Sequence, residues 1–184
     1  MMKIISIFGS ASPLPGSQAY QDAYEVGRLL ALAGYGVMTG GYAGTMAGVS
    51  QGAAEAGGHV IGVTSAQIEA YRQIPPNQWV AEEVRQNLLR DRVTYLVLHN
   101  DGMIVLPGGI GTLSELALAW SLMQVGDLPQ RPFVLLGSTW RQMVDVLYNG
   151  NHVKTKDYAL LQFADSPETA VDMVVRWQGG KVVK

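Results

Sequence analysis

Short apolar runs alternate along the chain with longer segments whose apolar residues recur at helical spacing. Lys3–Phe8 is rich in isoleucine and stops at Gly9-Ser10, the pattern of a buried strand and a turn. In Ser17–Ala33 the residues Ala19, Ala23, Val26, Leu29, Leu30 and Ala33 follow a period near 3.6, and Gly34-Tyr35-Gly36 stops the helix. Gly36–Thr39 is a short second strand closed by Gly40-Gly41. Thr45–Ala56 is a helix of small residues ending at Gly57-Gly58, and His59–Thr64 is a third strand. Ala66–Trp79 is irregular, with Pro75-Pro76 breaking any helix. Val80–Leu98, charged at first and then apolar, is expected to be one long helix.

Gly102–Leu106 is a fourth strand, followed by the sharp turn Pro107-Gly108-Gly109. Gly111–Val125 is a helix so apolar all round that burial on every side is expected. Pro132–Leu136 is a fifth strand, Trp140–Tyr148 a helix and Leu160–Phe163 a sixth strand. Pro167–Trp177 is a closing helix with Ser166 as its N-cap. The polar tail 178–184 is expected to fray.

This alternation, with continuously apolar strands, predicts a three-layer, Rossmann-like α/β fold. Its sheet is mainly parallel with helices on both faces, in one domain over residues 1–184. Ligands of such sheets bind beyond the carboxyl ends of the strands. Gly9, Gly40-Gly41 and Gly108-Gly109 all fall there, after the first, second and fourth strands.

Composition sharpens this. Of 184 residues, 22 are glycine and 48% are hydrophobic, while only 15% are charged, so disorder is excluded. The glycines lack a three-residue period, which excludes collagen. A net charge of −2 offers no general attraction for nucleic acid or an anionic membrane, and no apolar run is long enough to span one. The absence of cysteine removes disulfides and thiolate chemistry and is compatible with the cytoplasmic location expected. His59, His99 and His152 are far apart in sequence, so no metal site is expected.

Two glycine turns are candidate phosphate sites. Gly40-Gly41-Tyr42-Ala43-Gly44 joins a strand to a helix on which Gly44, Gly48 and Gly52 share one face. Gly40 and Gly41 suit backbone approach to a ligand, whereas Gly48 and Gly52 suit close helix packing. Pro107-Gly108-Gly109-Ile110-Gly111-Thr112-Leu113-Ser114-Glu115 follows a buried strand and opens an apolar helix, whose free N–H groups favour an anion. The alternative is a capping box of Thr112 and Glu115, which would not account for three glycines in four positions. Neither turn is a Gly-x-Gly-x-x-Gly fingerprint, no acidic residue follows the second strand, and there is no P-loop. NAD dehydrogenases and P-loop NTPases are therefore poor fits.

The nine residues Pro107–Glu115 resemble the signature of the Lonely guy (LOG) family, the nucleoside 5′-monophosphate phosphoribohydrolases once labelled lysine decarboxylases. Phe8-Gly9-Ser10, the Gly40–Gly48 stretch and His59–Val63 also resemble that family. The resemblance implies that Gly9, Ser10, Gly40, Gly41, Gly108, Gly109, Gly111 and Thr112 bind a nucleotide phosphate. It also implies that Arg92 and Glu115 are catalytic. The family's lysine after this arginine is replaced by Val93, with Arg85 and Arg90 as candidate substitutes. The implied substrate is a nucleoside monophosphate, AMP or cytokinin-type, cleaved without cofactor or metal to free base and ribose 5-phosphate. The implied assembly is a homodimer. Non-catalytic relatives that carry the molybdenum cofactor or sense nucleotides leave a binding role open. The old decarboxylase label fails, because no lysine lies where a pyridoxal phosphate Schiff base would be needed.

Overall fold

The computed structural model describes residues 2–179. Seven strands form one sheet: β1 Ile4–Phe8, β2 Gly36–Thr39, β3 Val60–Ser65, β4 Glu82–Gln86, β5 Gly102–Val105, β6 Phe133–Leu136 and β7 Gln162–Ala164. All described pairings are parallel, in the order β4-β3-β2-β1-β5-β6-β7. The helices are α1 Gln18–Leu32, α2 Thr45–Glu55, α3 Ala66–Arg72, α4 Leu89–Leu98, α5 Ile110–Val125, α6 Ser138–Asn149, α7 Thr155–Tyr158 and α8 Pro167–Val175. The expected Rossmann-like, doubly covered parallel sheet is therefore the observed fold.

Side chains alternate between the faces of each strand. Ile5, Ile7, Val37, Ile104 and Val134 join one core with residues of α1, α2 and α8. Phe8, Met38, Met103, Val105 and Phe133 join a second core with α4, α5 and α6. The chain winds outward in opposite directions from β1, which pairs with β2 on one side and β5 on the other. This reversal opens a crevice at the carboxyl ends of β1 and β5.

Gly48 and Gly52 do pack as expected. A Cβ on Gly52 would lie 1.9 Å from the Tyr24 carbonyl oxygen, and one on Gly48 would lie 2.8 Å from that of Tyr20, so α1 and α2 meet backbone to backbone. The Ser166 cap also forms, its Oγ accepting from the Thr169 N–H.

Two expectations need correction. Val80–Leu98 is not one helix: its charged half forms β4, the seventh strand, and only Leu89–Leu98 is helical. β4 is an edge strand, and its charges suit that position by discouraging further pairing. Glu82 meets His59 at 2.9 Å, Glu83 accepts from Thr64 at 2.5 Å, and Arg85 pairs with Glu69 at 2.5 Å. Helix α5 is not buried on every side, since Ile110 is 83% and Val125 72% exposed. Of the tail expected to fray, residues 180–184 lie outside the described residues.

Candidate active site

Two helices bring charge to the crevice. In α4 the buried residues are Arg92, Leu96 and Val97, so Arg92 sits one turn before the apolar pair that docks on the sheet. In α5 the buried stripe runs through Thr112, Glu115, Leu116, Ala119 and Met123. Glu115 therefore occupies a core-facing helical position that an apolar residue would ordinarily take.

Arg92 reaches across the carboxyl ends of two strands. Its Nε donates to the Val63 carbonyl of β3 at 2.7 Å, and Nη2 donates to the Gly40 carbonyl after β2 at 3.1 Å. Nη2 also lies 3.8 Å from the Met46 sulfur, and the guanidinium carbon lies 5.5 Å from the centre of the Tyr42 ring. The Tyr42 hydroxyl is fixed against Ser65, accepting from its N–H at 2.9 Å. Gly40 makes room for this arginine, because a Cβ there would fall 1.7 Å from Nη2.

Arg92 and Glu115 are only 6% and 7% exposed. Nη1 and Oε1 stand 4.0 Å apart, an ion pair but too long for a hydrogen bond. Burial pushes the Glu115 carboxyl up to about 7, and the opposing pull of Arg92 does not cancel it. A carboxyl in that condition exchanges its proton near neutral pH, the property required of a general acid or base.

The Pro107–Thr112 turn is exposed from Pro107 to Gly111. The Trp140 indole donates to the Leu106 carbonyl at 2.9 Å and anchors its base. The N-cap of α5 is Gly109, with no side-chain hydrogen bond, so Thr112 and Glu115 do not form a capping box. A Cβ on Gly109 or Gly111 would meet nothing within 4 Å, and neither residue has a positive φ. No clash or backbone strain within the chain calls for glycine at these two positions; what glycine does there is leave open space above the helix N-terminus. At Gly108, by contrast, a Cβ would lie 2.2 Å from the Thr112 hydroxyl.

The first and second turns contact each other. A Cβ on Gly9 would strike the Thr45 hydroxyl at 2.2 Å, and the Ser10 carbonyl accepts from Thr45 N at 2.8 Å and Thr45 Oγ1 at 3.0 Å. Gly41 adopts φ +76°, turning the chain beside β3. Thus Arg92, Glu115 and Gly40 are brought together, Gly9 and Ser10 pack on the start of α2, and Gly109 and Gly111 form an open rim. Of the candidate substitutes for the lysine replaced by Val93, Arg85 pairs with Glu69 and Arg90 with Asp91, both at exposed positions. Tyr42 and Trp140 are site-forming residues that the motifs did not single out.

The chain resembles known proteins in sequence and in fold. The SLOG cluster4 family profile matches residues 2–170. A cytokinin riboside 5′-monophosphate phosphoribohydrolase of Mycobacterium tuberculosis is 31% identical over 133 residues, covering 72% of this chain and 69% of that one. One from Arabidopsis thaliana is 36% identical over 95 residues, covering 50% of this chain but only 41% of its own length. The solved structure of a molybdenum cofactor binding protein from Rippkaea orientalis superposes with a TM-score of 0.74 at 28% identity, covering 95% of this chain and 96% of that one.

Proposed function

We propose that this chain, which belongs to the SLOG cluster4 family, hydrolyses the N-glycosidic bond of a nucleoside 5′-monophosphate to free base and ribose 5-phosphate. One observation carries the reading: a buried carboxyl with a pKa raised to about 7 lies one helical turn inside an uncapped glycine-lined helix N-terminus. The open N–H groups and positive end of α5 at Gly109, Gly111 and Thr112 bind the 5′-phosphate. As the C1′–N bond breaks, its electron pair leaves with the base and positive charge develops on the ribose. The Glu115 carboxylate stabilises that charge and takes a proton from the water that attacks C1′. The proton then neutralises the departing base. Arg92, anchored to two backbone carbonyls, acts chiefly as a positioning residue that holds Glu115 close to its ionisation point.

A second reading, a carrier that holds a phosphate-bearing ligand without cleaving it, draws support from the similarity to the molybdenum cofactor binding protein. Incubation with AMP, GMP, CMP and isopentenyl-AMP, assayed for ribose 5-phosphate, separates the two. Release that vanishes in Glu115→Ala supports hydrolysis, while tight binding with no turnover supports the carrier. No helix among the described residues is long and apolar enough to cross a membrane. The working assembly is proposed to be a homodimer joined through the outer face of α5. There a groove of about 590 Å³, lined by Leu113, Ala117, Trp120, Met143 and Val146 among others, is left open.

A further inference from the structure

The segment between α3 and β4 contributes Asn77, which makes three hydrogen bonds to the turn that seats Arg92. Its backbone N–H donates to the Gly41 carbonyl at 2.7 Å. Its side-chain amide donates to the carbonyls of Gly41 and Tyr42, each at 3.0 Å, and lies 3.4 Å from Ser50 Oγ of α2. Its Oδ1 accepts from Trp79 N at 3.2 Å, which closes the segment on itself. Gly41 is flanked by two of the residues that contact the arginine. Before it is Gly40, whose carbonyl accepts from Nη2; after it is Tyr42, whose ring lies beneath the guanidinium.

We infer that Asn77 is a positioning residue for the Arg92–Glu115 pair, clamping the turn after β2 so that the guanidinium is held at its distance from the carboxylate. The catalytic consequence rests on the hydrolase reading above; the structural one does not. Without the clamp, the Gly41 and Tyr42 carbonyls lose their donor from the side chain, and the Gly40 carbonyl and Tyr42 ring shift with them. Arg92 follows, since both groups contact it, together with the Met46 sulfur. The charged and titratable groups involved are Arg92 from α4, Tyr42 from the turn, Glu69 of α3 at 3.5 Å from the Tyr42 hydroxyl, and Arg85 of β4 paired with Glu69. Among these, Arg92 is the one whose charge acts on Glu115. A looser arginine stabilises the carboxylate less, so Glu115 holds its proton to higher pH.

The test is urea unfolding between pH 5 and 9 on the substrate-free protein, with and without Glu115→Gln, in wild-type and Asn77→Ala backgrounds. The pH midpoint of the Glu115-dependent stability difference is expected to rise by about half a unit or more in Asn77→Ala. Turnover of the best nucleoside monophosphate should fall about tenfold in kcat with KM within about threefold. If Asn77→Ala fails to fold, Asn77→Ser, which retains one donor, is read in the same way. A midpoint that stays in place while overall stability drops makes Asn77 merely structural and overturns the inference, as does a wild-type protein with no Glu115-dependent midpoint. Because the midpoint is read without substrate, a chain that cleaves no nucleotide leaves the inference intact. A clamp that proves irrelevant likewise leaves the hydrolase reading intact.

Discussion

Replacing Glu115 by glutamine removes a group whose proton affinity changes when the chain folds. The carboxyl has its ordinary value of 4.5 in the unfolded chain and about 7 in the folded one. Between those values the folded state holds a proton that the unfolded state has released, so stability falls as pH rises through this window. At about 1.36 kcal/mol per unit, the gap amounts to about 3 kcal/mol in total. Because Glu115 is 7% exposed, solvent screening removes little of it. Glutamine keeps the shape and never ionises. Wild type and Glu115→Gln should therefore be within about 1 kcal/mol of each other at pH 5, and the variant should be more stable by about 3 kcal/mol at pH 8 to 9. For a chain of this length that corresponds to about 6 to 12 °C in Tm. Urea denaturation across pH 4 to 9 reads the difference directly. Parallel stability profiles for the two proteins would refute the buried-carboxyl argument, whatever the variant does to activity. On the proposed hydrolase reading, Glu115→Gln should also abolish ribose 5-phosphate release, a gain of stability at the expense of activity.

Other perturbations test separate parts of the site. Arg92→Lys keeps the charge but loses the fork that binds the Val63 and Gly40 carbonyls, so turnover should fall at least about tenfold and the Glu115 midpoint should rise; an unchanged rate would remove Arg92 from the mechanism. Gly111→Ala meets open space and should leave stability unchanged or raised by up to about 1 kcal/mol, while weakening AMP or inorganic phosphate binding measured by calorimetry. Gly40→Ala drives a Cβ into the guanidinium and should cost about 3 kcal/mol or more in urea unfolding, as breaking a buried charge pair does. Val146→Glu, on the outer groove, should convert a dimer of about 40 kDa into a monomer of about 20 kDa by size exclusion with light scattering; a wild-type protein that is already monomeric refutes the dimer.

The central strands were legible because they are buried on both faces and mostly apolar, as in Phe133–Leu136 and in Ile4–Phe8, whose one polar residue is Ser6. β4 was not, because Glu82, Glu83 and Arg85 at a sheet edge look like the first turn of a helix. Arg92 and Glu115 are singled out through the family resemblance that the turn motif carries. The reason for Gly40 was not legible, since its need for space comes from an arginine 52 residues away that approaches only in three dimensions. The same holds for Asn77, whose partners Gly41 and Tyr42 are 36 and 35 residues distant, in an irregular segment with no periodic signal. The groove on α5 was misread as buried because an all-apolar helix looks the same whether its outer face meets the core or is left uncovered.

The three helices that begin beside the crevice differ in what their first N–H groups can still do. α1 is closed by the Ser17 hydroxyl, which accepts from Tyr20 N. α2 spends its first N–H on the Ser10 carbonyl. α2 and α5 both start at a glycine with no side chain turned back onto it, but the start of α2 is packed against the Ser10 carbonyl, whereas residues 107–111 before and at the start of α5 are exposed. The start of α5 is thus the more open of the two to an anion. On the proposed reading, the phosphate end of the ligand settles there and its uncharged remainder lies away from it.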